Sequence, residues 1–277
     1  MNTPQVTTLT LNNGIEMPQL GFGVFQVPND ETQRAVEAAL AAGYRSIDTA
    51  AIYGNEEGVG RALAGSGIAR DELFITSKVW NSEQGYDSTL RAYDDALERL
   101  GLDQLDLFLI HWPTPEKDLY ADTWRALEKI YADGRVRAIG VSNFQPEHLD
   151  RIASENGIVP VLNQVELHPS FQNREVAEAN AARGILTEAW SPIAQGDVLA
   201  DPVVVSLAER HGKTPAQVVL RWHLQQGRIV IPKSVTPSRI AENLNLFDFE
   251  LAAADLAAID ALENGGRRGP HPSEFNA

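Results

Sequence analysis

Seven short apolar runs, each stopping on a polar or aromatic residue, set the strongest limit on how this chain can fold. They end on Asp48, Lys78, His111, Asn143, Gln164, Trp190 and Lys233, and most are separated by a stretch with helical periodicity. Alternating strand and helix units imply a parallel sheet. Parallel strands all point one way, so seven residues scattered through the chain would meet on one face. In closed parallel barrels that face carries the chemistry.

The units recur. Runs start at 45, 73, 105, 136, 161 and 185, and helical segments are expected near 30–43, 56–64, 88–100, 120–132, 146–155, 173–183, 215–226 and 237–244. Asp30 is the expected N-cap of the first helix and Gly43 its C-cap. The longer gap from 185 to 229 leaves room for an extra helix over 202–210, and another follows over 253–262. Before the first unit, Val6–Leu11 and Ile15–Met17 flank Asn12-Asn13-Gly14, a hairpin turn sequence whose residues tolerate positive φ. Such a hairpin can close a barrel bottom. Residues 19–24 read as the first barrel strand. The expectation is one (β/α)8 TIM barrel over 1–277, with an N-terminal hairpin and two extra helices. The tail from Gly265 reads as a surface loop. No Gly-x-Gly-x-x-Gly opens a helix and no Walker loop occurs, so neither standard nucleotide fold is indicated.

Composition removes several functions. A net charge of −15 argues against nucleic acid, which is bound through Lys and Arg contacts to phosphate. No apolar stretch is long enough to span a bilayer. Met1–Gln5 lacks a basic region followed by an apolar core, so no signal peptide is expected and a cytoplasmic location is the default. Cysteine is absent, which excludes disulfides and thiolate catalysis. No His/Asp/Glu cluster has metal-ligand spacing, so no metal is expected. Only five lysines occur, and two of them, Lys78 and Lys233, end strands.

Three long segments resemble the signatures of the aldo-keto reductases. They are Gly43–Gly60, Val136–Phe144, and Ile231-Pro232-Lys233-Ser234 with Arg239, Glu242 and Asn243. Within that family, Ala51–Glu57 and His211–Gln217 look like the bacterial 2,5-diketo-D-gluconate reductases. The resemblance implies an NADPH-dependent monomer that reduces aldehydes and ketones, dicarbonyls and keto-sugars such as 2,5-diketo-D-gluconate included, to alcohols.

The family's catalytic tetrad maps onto Asp48, Tyr53, Lys78 and His111. The chemistry agrees. A free phenol has a pKa of roughly 10, too high for acid–base work near neutrality. A nearby ammonium lowers it, a carboxylate keeps that ammonium charged, and His111 can donate to the substrate oxygen. Tyr53 is then the acid in reduction. The resemblance also implies a nicotinamide dinucleotide lying across the barrel mouth. Ser142, Asn143 and Gln164 match its carboxamide site, Trp190 the stacking aromatic, and Ser191, Pro192, Ile193, Gln195 and Gly196 the pyrophosphate strip. Lys233, Ser234 and Arg239 match a 2′-phosphate site, with Glu242 and Asn243 facing adenine. Two cations near a helix start suit a phosphate dianion and favour NADPH. Phe22, Ile52, Trp80, His111 and Trp112 are the expected substrate walls, and the short tail implies an open pocket. Phe25 stands where many members carry Trp.

Each residue also has an ordinary reading: a loop-capping Asp, a turn Tyr, a rim Lys, a packed His. Two other functions stay open. One is a Schiff-base aldolase or isomerase built on Lys78. The other is a non-catalytic NADPH-binding module.

Overall fold

The computed structural model describes residues 6–155 and 157–277. Met1–Gln5, read above as carrying no targeting signal, lies outside the described residues.

The N-terminal hairpin pairs β1 (Thr8–Thr10) with β2 (Glu16–Pro18), antiparallel, with Leu9 opposite Met17. Its turn is closed by Gly14 N donating to the Leu11 carbonyl. The Asn12 side chain donates to the Pro160 carbonyl and the Asn13 side chain to the Arg137 carbonyl, which ties the hairpin to the strand starts.

Eight parallel strands follow in sequential order: β3 (Phe22–Gly23), β4 (Ser46–Asp48), β5 (Phe74–Val79), β6 (Leu105–Ile110), β7 (Val136–Ser142), β8 (Leu162–Glu166), β9 (Leu186–Trp190) and β10 (Ile229–Val230). The ring closes where Leu20 bridges Val230, with Gly21 N donating to the Val230 carbonyl and Gly23 N to the Pro232 carbonyl. The expected strand over 19–24 is thus one bridge and a two-residue strand.

Helices α1 (Asn29–Ala42), α2 (Glu56–Gly65), α3 (Tyr86–Leu100), α4 (Tyr120–Ala132), α5 (Pro146–Glu155), α6 (Arg174–Ala182), α8 (Pro215–Gln225) and α9 (Pro237–Leu244) alternate with the strands. The two extra helices are α7 (Pro202–His211) and α10 (Ala253–Asp260). One cap differs from expectation. Pro28, not Asp30, occupies the α1 N-cap, and Asp30 sits inside the first turn, where its charge still favours the positive helix end. Gly43 caps the other end at φ 119°, as expected.

Alternate strand residues face the barrel interior. Near the bottom that interior is apolar: Phe74, Leu107, Ala138, Leu162 and Ile229 pack with Leu11 and Met17 of the hairpin, which plugs the barrel. Towards the C-terminal ends the same faces turn polar: Asp48, Lys78, Ser142, Gln164 and Glu188, all buried. A larger apolar core, with Trp124, Trp222, Tyr93 and Phe108 fully buried, fills the layer between strands and helices.

Candidate active site

The strand ends place the tetrad together. Asp48 ends β4, Lys78 is the penultimate residue of β5, and His111 follows β6. Tyr53 ends a 3-10 turn, Ala51–Tyr53, just after β4. That turn is pinned by Asn55, which accepts from the Thr49 hydroxyl at 2.8 Å and donates to the carbonyls of Val24 and Val27.

The Lys78 ammonium is fully buried. It donates to Asp48 Oδ1 at 2.6 Å and to the Thr49 carbonyl at 2.9 Å, and it lies 5.2 Å from the Tyr53 ring centroid. The His111 ring stands edge-on to Tyr53 at 5.6 Å and to Trp80 at 5.1 Å. Among the described residues His111 Nδ1 is buried without a hydrogen-bond partner.

Burial would strip Lys78 of its proton, but Asp48 and then Tyr53 outweigh it and hold the amine above its ordinary value. A protonated amine has no lone pair for a Schiff base, so the aldolase reading loses its nucleophile. Burial, with help from Lys78, drives His111 well below 6.5, so it is a neutral imidazole. The phenol corrects the expectation. Burial is the larger effect and raises Tyr53 above 10; Lys78 pulls it down, while Asp48 and Glu188 push it up. Tyr53 in this state is a protonated phenol poised to donate, rather than one already acidified.

The three residues expected at the amide site form a network. Asn143 donates to the His111 carbonyl and to Ser142 Oγ, and accepts from the Trp190 indole N–H at 2.8 Å. Ser142 donates to the Gln164 carbonyl. The single nitrogen of the Gln164 side chain donates to Asp48 Oδ2 at 2.9 Å and to Glu188 Oε2 at 2.7 Å. Their donors are committed, so what remains towards a bound amide is acceptor capacity, suited to an –NH2 group.

Beyond Trp190 the chain bends sharply. Ser191, Ala194, Gln195 and Gly196 all have positive φ, and the Pro192 carbonyl lies 2.9 Å from His223 Nε2. Ser191, Pro192, Ile193, Gln195 and Gly196 therefore form one shaped strip beside the mouth. Left-handed non-glycine residues concentrate at functional sites. Lys233 lies just past β10 and Arg239 in the first turn of α9; both are exposed and, among the described residues, neither makes an ion pair. Ser234 Oγ accepts from Thr236 N, Glu242 accepts from the Thr214 hydroxyl, and Asn243 is buried. Among the described residues no group of three or more His, Cys, Asp or Glu is placed to hold a metal ion.

The expected substrate walls divide. Ile52 is exposed at the mouth, and Trp80 and Trp112 flank His111. Phe22 is not a wall. Its side chain points outward from β3 and is 1% exposed, packed against Tyr44 at 5.6 Å. Phe25, an odd number of residues further on, turns to the mouth instead and packs on Tyr53 at 5.1 Å.

The tail also corrects its expectation. It has no helix, but it is not a free surface loop. Glu166, buried, accepts from Arg268 N and Gly269 N at 2.5 and 2.8 Å and from His168 at 3.0 Å. A Cβ on Gly269 would meet the Trp190 ring at 2.6 Å. Arg268 pairs with Asp197 of the 194–200 turn at 2.7 Å. Phe275 packs on Trp112 at 4.5 Å and Trp80 at 6.4 Å. The tail therefore packs against two of the expected substrate walls. Sequence reasoning missed Glu166, Glu188, Arg268 and Phe275. Glu188 and Glu166 carried a local signal: Glu188 lies two residues before Trp190 and Glu166 two after Gln164, each on the same strand face as its neighbour.

Residues 19–264 match the model of the Aldo/keto reductase family. The chain is 55% identical to the glyoxal reductase of Bacillus subtilis (strain 168), covering 99% of each protein. It is 49% identical to the methylglyoxal reductase DkgA of Escherichia coli (strain K12), covering 97% of this chain and 98% of that one. A mutant of Gox0644, solved in complex with NADPH, superposes with a TM-score of 0.94 at 50% identity, covering 98% of this chain and 100% of the other. With the three signatures on converging strand ends, the chain belongs to the aldo/keto reductase family and is an NADP-dependent carbonyl oxidoreductase.

Proposed function

We propose that this single-domain barrel reduces small dicarbonyls, glyoxal and methylglyoxal first among them, with Tyr53 as the proton donor. The observation that carries the reading is the buried Lys78 ammonium, clamped by Asp48 and the Thr49 carbonyl against the Tyr53 ring. When bound, NADPH supplies the hydride to the carbonyl carbon. The chain supplies the rest. Neutral His111, with Nε2 protonated, donates to the carbonyl oxygen and orients it. Tyr53 gives its proton to that oxygen as negative charge develops there, and Lys78 stabilises the phenolate left behind. The aromatic walls Phe25, Trp80, Trp112 and Phe275, with Ile52, exclude water and leave room for compact substrates. Two named relatives are glyoxal and methylglyoxal reductases, which supports the same substrate class here.

For the cofactor, the donor set fits. Among the described residues Lys233 and Arg239 are cations without an ion pair, matched to a 2′-phosphate; Ser234 adds a hydroxyl. Gln164, Asn143 and Ser142 would hold the carboxamide, Trp190 would stack on the ring, the 191–196 strip would follow the pyrophosphate, and Glu242 and Asn243 would lie near adenine. The resemblance to the family also leads us to propose a monomer. We place the protein in the cytoplasm, where reduced nicotinamide is supplied; no helix of the described residues is long and apolar enough to cross a membrane.

The test is nicotinamide consumption with glyoxal, methylglyoxal, phenylglyoxal and 2,5-diketo-D-gluconate. The expected result is turnover with the dicarbonyls, at least about tenfold more efficient with NADPH than NADH, a difference of about 1.4 kcal/mol. NADPH binding with no turnover on any carbonyl would favour the non-catalytic module.

A further inference from the structure

Beneath the tetrad lies a carboxyl group that no step above uses. Glu188 sits in the middle of β9, 1% exposed, and is the direct register partner of Gln164 on β8. Among the described residues its one hydrogen-bond donor is the Gln164 amide, and it makes no ion pair. The same amide nitrogen reaches Asp48, and Asp48 reaches Lys78. An unbroken line of contacts of 2.7, 2.9 and 2.6 Å thus runs from Glu188 through Gln164 and Asp48 to Lys78, across the barrel interior.

We propose that Glu188 is a positioning residue for the proton donor: through Gln164 and Asp48 it sets the ionisation of the Lys78–Tyr53 pair, and with it the pH at which the site stops donating protons and starts accepting them. This rests on the reading of Tyr53 as the acid–base group.

The groups that face Glu188 fix the direction of the effect. Asp48 on β4 is a like charge, Lys78 on β5 an opposite one, and Tyr53 is the titrating neighbour; β10 presents apolar Ile229. Burial and then Asp48 push the Glu188 carboxyl up to about 8, so at neutral pH it is protonated and adds no charge. Above that point it becomes a carboxylate in a low-dielectric interior. A second negative charge there disfavours phenolate and raises Tyr53 further. Reduction needs Tyr53 protonated, and alcohol oxidation needs it ionised. Ionised Glu188 therefore holds the phenol in its reductive form to higher pH.

The variant Glu188→Gln keeps the shape and the contact with Gln164 but can never ionise. The experiment measures kcat against pH in both directions for wild type and Glu188→Gln, with an infrared titration of the wild-type holoenzyme. The alkaline loss of reduction and the alkaline rise of oxidation should both move down in the variant, by about half to one pH unit, the scale of one buried neighbouring charge. Wild type should show the carbonyl stretch of a protonated carboxyl at neutral pH, lost on mild alkaline titration. A purely structural Glu188 would lower rates without moving either limb. Superimposable profiles, or no protonated carboxyl at neutral pH, would overturn the proposal. The infrared titration needs neither turnover nor a folded variant. Its failure is therefore distinct from failure of the functional reading, which would show as absence of carbonyl reduction by wild type.

Discussion

Asp48 does two jobs at the scale of one residue. It holds the proton on Lys78, and it accepts from Gln164. Replacing it with Asn leaves a fully buried ammonium facing a neutral amide. Breaking a buried pair from one side costs about 3–5 kcal/mol. We expect Asp48→Asn to lower unfolding free energy by that order in urea titrations and to lower turnover as well, because a deprotonated Lys78 no longer stabilises phenolate. Lys233 and Arg239 behave differently. They are exposed and, among the described residues, without ion-pair partners, so neutral replacements should leave stability within about 0.5 kcal/mol. Lys233→Gln with Arg239→Gln should instead weaken NADPH binding by about tenfold or more while NADH changes little, as charge-assisted contacts to a phosphate are worth about 1.5–3 kcal/mol each. Equal losses for both cofactors, measured by fluorescence titration, would remove the 2′-phosphate assignment.

Elements are held by close approaches that the side-chain pattern does not advertise. Gly60 in α2 lies against the end of α3, where an added Cβ would come within 2.5 Å of the Leu100 carbonyl oxygen. Gly60→Ala should destabilise the fold by about 1–3 kcal/mol, the usual cost of overpacking, even though alanine is the better helix former. Chemical denaturation of the variant checks this. Where local rules decided an element, the sequence was readable: α4, α5 and α9 begin and end where their periodicity and Pro residues place them. The α1 cap was not, because Pro28, with φ fixed near −57°, starts the helix before Asp30 can cap it. The strand ends brought Asp48, Lys78 and His111 together because convergence follows from parallel topology; Tyr53 lies beyond its strand end, in the 51–53 turn, and was reached only through the family signature. Glu188 was passed over because it lies two residues before its strand end. The tail was unreadable for a different reason. Arg268 and Gly269 bond Glu166 across about a hundred residues of chain, and no local pattern encodes such a contact.

For the whole molecule, buried titratable groups set the pH range of stability. His111 and His223 are both buried and held well below 6.5, chiefly by burial. The unfolded chain takes up protons near 6.5 and the folded one does not. Stability is therefore complete above that value and declines as pH falls towards the folded values, by about 1.4 kcal/mol per pH unit for each histidine. Glu188 acts at the other end. Its folded pKa is raised from 4.5 to about 8, so its contribution is fully present below 4.5 and is lost as pH rises through 8. Thermal melts from pH 5 to 9 should show wild type losing stability on the acid side through the histidines and again as pH rises towards about 8, with Glu188→Gln removing the second loss.

The account as a whole turns on Tyr53 giving up its proton beside Lys78. The measurement that meets this most directly is a pair of experiments on Tyr53→Phe: NADPH affinity by fluorescence, and single-turnover NADPH oxidation with methylglyoxal. Loss of general acid catalysis is worth about 10²–10⁴-fold. NADPH affinity should stay within about twofold, since the hydroxyl belongs to the reacting end of the site and a factor of two is under half a kcal/mol. A Phe variant that oxidises NADPH within about tenfold of the wild-type rate would contradict the account, because some other group would then be the proton donor.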